Sequence, residues 1–114
     1  NNFKRILILG VAYKKNINDC RESPAFEIIK LLREEKMKVD YSDPFIKKIP
    51  KLRNYNFQNM RSITIKPAIL KKYDAVILIT DHDKFNYGMI EKNSKLIIDT
   101  RNVFKKKSPN VMFA

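Results

Sequence analysis

The feature that most limits what this chain can fold into is a five-residue run, Arg5 to Leu9 (RILIL), that is apolar at every position after the first and stops at Gly10. A half-solvated strand alternates apolar and polar residues, whereas a strand covered on both faces does not. The run therefore predicts a strand in the interior of a parallel sheet, with helices on both sides. Gly10 permits a tight turn out of it, and the polar connection that follows, GVAYKKNINDCRESP, ends at a helix start. Ser23 is expected to be the N-cap there, with Pro24 at the first helical position, where its missing N–H costs nothing.

The rest of the chain repeats the theme. Ala25, Ile28, Ile29, Leu31 and Leu32 form an apolar stripe at helical spacing, with Glu27, Lys30, Arg33 and Glu34 facing water. Val39 to Tyr41 reads as a second strand, stopped by Ser42-Asp43-Pro44, because proline disfavours helical geometry in the residue before it. Residues 45–67 read as a loop with one brief extended piece at Ser62-Ile63-Thr64-Ile65. Pro67 opens a short helix, Ala68 to Lys72, and Asp74 to Ile79 is the most strand-like run in the chain. A helix from Phe85 to Lys92 follows, with its cap expected in the Thr80-Asp81-His82-Asp83 cluster. Lys95 to Asp99 is a further strand, and Val111 to Phe113 a last short strand or edge segment. Strands alternating with helices predict an α/β fold: a three-layer, Rossmann-like, doubly wound and mainly parallel sheet.

Length and charge narrow the class. At 114 residues the chain is expected to be one domain, 1–114. Asn1 is not an initiator methionine and the first apolar run begins almost at once, so the chain reads as a domain cut from a longer protein. No apolar run approaches the roughly 20 residues that cross a bilayer, and no signal-peptide pattern is present; a cytoplasmic protein with no membrane partner is expected. The lone Cys20 has no partner for an internal disulfide. A net charge of +12 raises the alternative of a basic nucleic-acid-binding module. The lysines, however, are spread over helix faces, loops and the tail among many asparagines, which favours a solvated surface over a specific nucleic-acid face.

In a parallel sheet, ligands bind outside the carboxyl ends of the strands. Four polar clusters follow such ends: Tyr13 to Arg21, Ser42-Asp43, Thr80 to Asp83 and Thr100 to Asn102. Lys14, Lys15, Arg21 and Arg101 would bring positive charge to one edge, suited to a phosphate or pyrophosphate, arginine as a planar fork and lysine as a mobile point charge. Each also reads as an exposed loop residue. Lys15 is better read that way, and Arg21 has the further option of pairing with Asp19 or Glu22. With only Gly10 and Gly88 in the chain, the G-x-G-x-x-G spacing is absent and the domain is not expected to bind NAD alone. His82, the single histidine, has the chemistry of a general base, but flanked by Asp81 and Asp83 it reads more readily as a turn or capping residue. Cys20 reads as a structural thiol. No spacing among the carboxylates specifies a metal. Of the aromatics, Tyr13 is the one suited to stack on a base.

Taken together, LGVAYKKNINDCRESPAFEIIKLL, VDYSDP, YDAVILITDHDKFNY and LIIDTRN, in that order, resemble the carboxy-terminal, UDP-binding domain of the UDP-glucose/GDP-mannose dehydrogenase family. The register G-x-x-[YF]-K, with seven residues from Lys14 to Arg21, is a specific part of the resemblance. The TDHD and DTRN segments are most similar to the UDP-N-acetylglucosamine and UDP-N-acetylmannosamine 6-dehydrogenase branch. The resemblance implies polysaccharide biosynthesis and, in an intact homo-oligomeric enzyme, oxidation of a UDP-sugar C6 hydroxymethyl to a carboxylate, with two NAD+ reduced through a cysteine thiohemiacetal and thioester. The NAD-binding domain and catalytic cysteine would lie upstream, so that no residue here is catalytic and Cys20 is not the nucleophile. It further implies that Tyr13, Lys14 and Arg101 contact the substrate nucleotide and that Arg21 reaches across a cleft toward NAD. Lys15, Asn16 and Asn18 replace more usual proline or acidic residues.

Overall fold

The computed structural model describes residues 3–104 and 108–114. Five strands, β1 (Arg5–Leu9), β2 (Lys38–Ser42), β3 (Ala75–Leu78), β4 (Ile97–Asp99) and β5 (Val111–Phe113), form one sheet in the order β2-β1-β3-β4-β5. Every pairing is parallel, with Ile6 opposite Val39 on one side and Ala75 on the other. Because β1 pairs on both edges and is covered on both faces, Ile6 through Leu9 are buried, which accounts for its unbroken apolar run.

Helices α1 (Ala25–Glu34), α2 (Pro67–Leu70) and α3 (Tyr87–Asn93) make the outer layers. The alternate side chains of β1 divide the core. Ile6 and Ile8 pack with Phe26 and Ile29 of α1, whereas Leu7 and Leu9 pack with Leu70 and Ile90 of α2 and α3. Burying a side chain such as Phe26 contributes about 1.5–3 kcal/mol, so each face holds its helices chiefly by apolar contact.

Several boundaries differ from expectation. The Ser23 hydroxyl accepts the Ala25 N–H at 3.2 Å as expected of a cap, while Pro24 has helical angles (φ −67°, ψ −14°) just outside the regular helix. The stripe of α1 is centred on Ala25, Phe26 and Ile29, and Leu31 is 51% exposed, because it lies about 200° around the helix from Ile29. The cap of α3 is Asn86, whose side chain accepts the Met89 N–H at 3.1 Å, and not a residue of the Thr80 to Asp83 cluster, which is engaged elsewhere. The expected extended piece at 62–65 is not a strand. It is tied beside β2 by Ile63 N–H to the Tyr41 carbonyl (2.9 Å) and by the Ser42 hydroxyl to the Ile63 carbonyl (2.7 Å), so it shields an edge that would otherwise be open. The preceding loop folds inward, placing Ile46, Ile49, Phe57 and Met60 in the α1-side core.

Candidate functional site

An all-parallel sheet delivers the residues after β1, β2, β3 and β4 to one edge, and there the connections meet through side chains that satisfy one another's backbone. Gly10 begins the turn with φ +87°. A Cβ on it would lie 2.4 Å from the Thr80 carbonyl oxygen, so the loop after β3 fits directly against the end of β1. Gly10 thus serves the tight turn and this close packing, and no second glycine follows it at the spacing that lets a backbone approach a pyrophosphate.

Asp43, at the end of β2, is the hub. Its Oδ2 accepts from Val11 N–H (2.8 Å), Ala12 N–H (3.1 Å) and His82 Nε2 (2.9 Å), and its Oδ1 from Phe45 N–H (2.8 Å) and Ile46 N–H (3.2 Å). Burial alone would push this carboxyl up; the His82 bond and the backbone donors outweigh it and hold it below the ordinary carboxylate value. His82 is fully buried, and its Nδ1 accepts the Asn16 N–H at 2.8 Å. A backbone N–H only donates, so Nδ1 is unprotonated, Nε2 carries the proton, and the contact with Asp43 is a hydrogen bond to a neutral ring. The sequence reading of His82 is right about its backbone, since the Phe85 N–H closes a turn on its carbonyl at 3.3 Å. It misses the side chain, which joins the loops after β1 and β2.

Further ties fix the same edge. The Thr80 hydroxyl donates to the Ala12 carbonyl at 2.7 Å, and Tyr13 N–H to the Asp19 carbonyl at 2.7 Å. Asn16, at φ +64°, exchanges side-chain bonds with Asp83: Nδ2 donates to Oδ2 (2.7 Å), and Oδ1 accepts the Asp83 N–H (2.9 Å). Asp99 holds the last loop through Arg101 N–H (2.9 Å), Val103 N–H (2.8 Å) and Phe104 N–H (2.9 Å).

On this frame sits a cleft of about 590 Å³ lined by Tyr13, Lys14, Lys15, Thr80, Asp81 and Arg101 among others. Three of the residues picked out in the sequence, Tyr13, Lys14 and Arg101, share it. The Tyr13 ring is 51% exposed with the Lys14 ammonium 5.8 Å from its centre, so a flat apolar face and a cation stand together. Arg101 Nε lies 3.3 Å from Asp81 Oδ1, an ionic contact without an aligned hydrogen bond, since that oxygen is otherwise buried and unbonded. Lys15 reaches Asp83 at 3.6 Å. Arg21 is not in the cleft. It lines a neighbouring groove with Cys20 and Phe45, is 80% exposed, and donates to Asp19 through Nε (3.1 Å) and Nη2 (3.0 Å), the pairing the sequence left open. Cys20 is buried, and desolvation with the nearby Asp19 charge pushes its thiol up, which makes it a poor nucleophile. Among the described residues no group of three or more His, Cys, Asp or Glu is arranged to hold a metal ion, and no helix is long and apolar enough to cross a membrane.

The residues missed by sequence reasoning are Asp43, Asn16 and Asp99. Asp43 and Asn16 follow strand ends within turn clusters and Asp99 is the last residue of β4, a signal for an acceptor of loop N–H groups, but the partner in two of the three cases is tens of residues away.

The sequence and the fold have counterparts in known proteins. Over 104 residues, covering 90% of this chain and 23% of the relative, the sequence is 33% identical to the NDP-N-acetyl-D-galactosaminuronic acid dehydrogenase of Ralstonia solanacearum. It is likewise 33% identical over 119 residues to the UDP-glucose 6-dehydrogenase of Caenorhabditis elegans, covering 92% of this chain and 25% of that one. The structure of UDP-D-ManNAc dehydrogenase from Pyrococcus horikoshii superposes with a TM-score of 0.69 at 28% identity, over 96% of this chain and 24% of that one. The chain thus spans about a quarter of the length of the relatives it matches. Residues 7–106 match the UDP binding domain of the UDP-glucose/GDP-mannose dehydrogenase family, and the chain belongs to that family.

Proposed function

We propose that this chain is the carboxy-terminal substrate-nucleotide domain of a cytoplasmic, NAD-dependent UDP-sugar 6-dehydrogenase of polysaccharide biosynthesis. The observation that carries the reading is the cleft in which the Tyr13 face, the Lys14 ammonium and the Arg101 guanidinium converge at the carboxyl edge of the sheet. In this reading Tyr13 lies against the uridine, and Lys14 and Arg101 neutralise the diphosphate, lysine as a point charge and arginine as a fork. The domain then binds and orients the nucleotide end of the substrate. The intact enzyme oxidises the C6 hydroxymethyl to a carboxylate, with NAD supplying the hydride acceptor. Because the chain has no G-x-G-x-x-G turn, NAD would be held mainly by the other domains of a homo-oligomeric enzyme. Arg21, outside the nucleotide cleft, would turn from Asp19 toward the cofactor when those domains are docked. The family match and the cleft favour a single nucleotide-sugar over a polynucleotide.

Calorimetric titration of the chain with UDP tests the reading. Binding is expected, with Lys14→Ala and Arg101→Ala each weakening it about tenfold, the effect of losing one charge-assisted bond of roughly 1.5 kcal/mol, and Arg21→Ala leaving it unchanged. A folded chain that ignores millimolar UDP, or binding indifferent to both substitutions, would refute it.

A further inference from the structure

We propose that His82 is a positioning residue for the cleft: in its neutral, Nε2-protonated form it accepts the Asn16 N–H and so pins the segment that carries Tyr13 and Lys14. The inference rests on the reading of that cleft as the nucleotide site. His82 itself is fully exposed to neither solvent nor ligand; it is 0% accessible and is not among the residues lining the cleft. Its action is through Asn16, two residues beyond Lys14.

The segment from Tyr13 to Asn18 is exposed throughout, so packing does little to define it. Its start is held by Ala12, whose N–H goes to Asp43 and whose carbonyl receives the Thr80 hydroxyl. Its far part is held at Asn16, where the side chain exchanges bonds with Asp83 at the surface and the backbone N–H runs inward to His82 Nδ1 at 2.8 Å. The inward bond is part-buried and the other two are exposed, and Asn16 adopts φ +64°. The ring is fixed in turn. Its Nε2–H donates to Asp43 Oδ2 at 2.9 Å, the Phe45 and Phe85 rings lie 4.9 Å and 5.6 Å away, and the His82 backbone carbonyl accepts the Tyr87 hydroxyl at 2.6 Å. One carboxylate thus sets the tautomer, and the tautomer sets whether the binding segment has an acceptor.

Two substitutions separate the ring's two nitrogens. His82→Asn places a carbonyl oxygen near the Nδ1 position and retains an acceptor for Asn16, while His82→Gln places an amide near the Nε2 position and retains the bond to Asp43 alone. With the 114-residue chain, amide exchange at Asn16 is expected to quicken about tenfold and UDP binding to weaken about tenfold in His82→Gln, with both held within about threefold of wild type in His82→Asn. Equal losses in the two variants, or an Asn16 amide unaffected by His82→Gln, would overturn the proposal. Nitrogen-15 spectra of the wild-type ring decide the matter even if neither variant folds. The expected result is the Nε2–H tautomer, with a coupling across the hydrogen bond from the Asn16 amide to Nδ1; an Nδ1–H tautomer, or no such coupling, would overturn it. If wild type fails to bind UDP, the nucleotide reading falls, while the exchange and tautomer measurements still decide the tie itself.

Discussion

Replacing Asp43 by asparagine keeps the side-chain volume and removes one acceptor. The carboxylate serves Val11, Ala12 and His82 through Oδ2 and Phe45 and Ile46 through Oδ1. An amide has one carbonyl oxygen, and its NH2 must face one of those two groups of donors. The less damaging orientation turns the NH2 toward Phe45 and Ile46, leaving two N–H groups facing a donor. At about 1–3 kcal/mol for each unsatisfied buried group, the direct cost is roughly 2–6 kcal/mol. The three bonds that survive lose their charge assistance, which adds to the cost, whereas the neutral amide no longer carries the desolvation penalty of a buried charge, which offsets it. A net loss of about 3 kcal/mol is a large share of the 5–15 kcal/mol that hold a typical domain together. In urea, with a slope of about 1.5 kcal/mol per molar, the unfolding midpoint should fall by roughly 2 M. The assay is equilibrium urea unfolding followed by far-ultraviolet circular dichroism, on wild type and Asp43→Asn in parallel at neutral pH. A midpoint shift under about 0.5 M would show that these five contacts do not carry the edge, and the account of the hub would be wrong.

Two further outcomes follow from the same edge. Gly10→Ala should lower the melting temperature by more than about 10 °C, since its Cβ would meet the Thr80 backbone at φ +87° and one kcal/mol corresponds to about 4–8 °C in a domain this size; an unchanged melting temperature would contradict the close approach. Because Asp43's carboxyl is held below its ordinary value of 3.8, its contribution to stability is fully present above that value and is lost as pH falls below it. Melting temperatures from pH 6 down to pH 2 should therefore fall more steeply for wild type than for Asp43→Asn, and parallel curves would rule Asp43 out as a source.

How much of this was legible in the sequence depended on the distance over which each residue acts. The apolar run of β1 announces its own environment, because burial on both faces is recorded in consecutive residues. Ser23-Pro24 announces the start of α1 for the same reason, as a local signal with a local partner. Leu31 misleads: a leucine at near-helical spacing is counted into a stripe, yet the layer beneath α1 is filled by Phe26 and by Phe57 from a loop 31 residues on, and the helix is rotated to meet them. Residues 45–67 carry apolar side chains without a period, since they fold as a loop over the core and not as a helix or strand. In the site, Lys14 and Arg101 were recognisable as cations after strand ends, a consequence of topology. The bond from His82 to Asp43 spans 39 residues and that from Asn16 to His82 spans 66, and no spacing rule reaches so far. Of the two local partners the sequence offered Arg21, the structure shows Asp19, two residues away, an option that needs no distant partner.

Those long spans bear on when the cleft comes into being. The Tyr13 to Asn16 segment is held by residues from the ends of β2 and β3, so its order waits until three strands separated by dozens of residues have come into register, the slow part of assembling a parallel sheet. The local Tyr13 N–H to Asp19 carbonyl bond alone leaves Lys14 to Asn16 without those distant ties in a partly folded chain. A nucleotide that fits the cleft would therefore recognise only the fully assembled sheet, and its binding would resist global opening of the domain, by about 2.7 kcal/mol at a hundredfold excess over the dissociation constant. Protease resistance and thermal midpoint should then rise together with ligand, reporting an occupied cleft from any point in the fold.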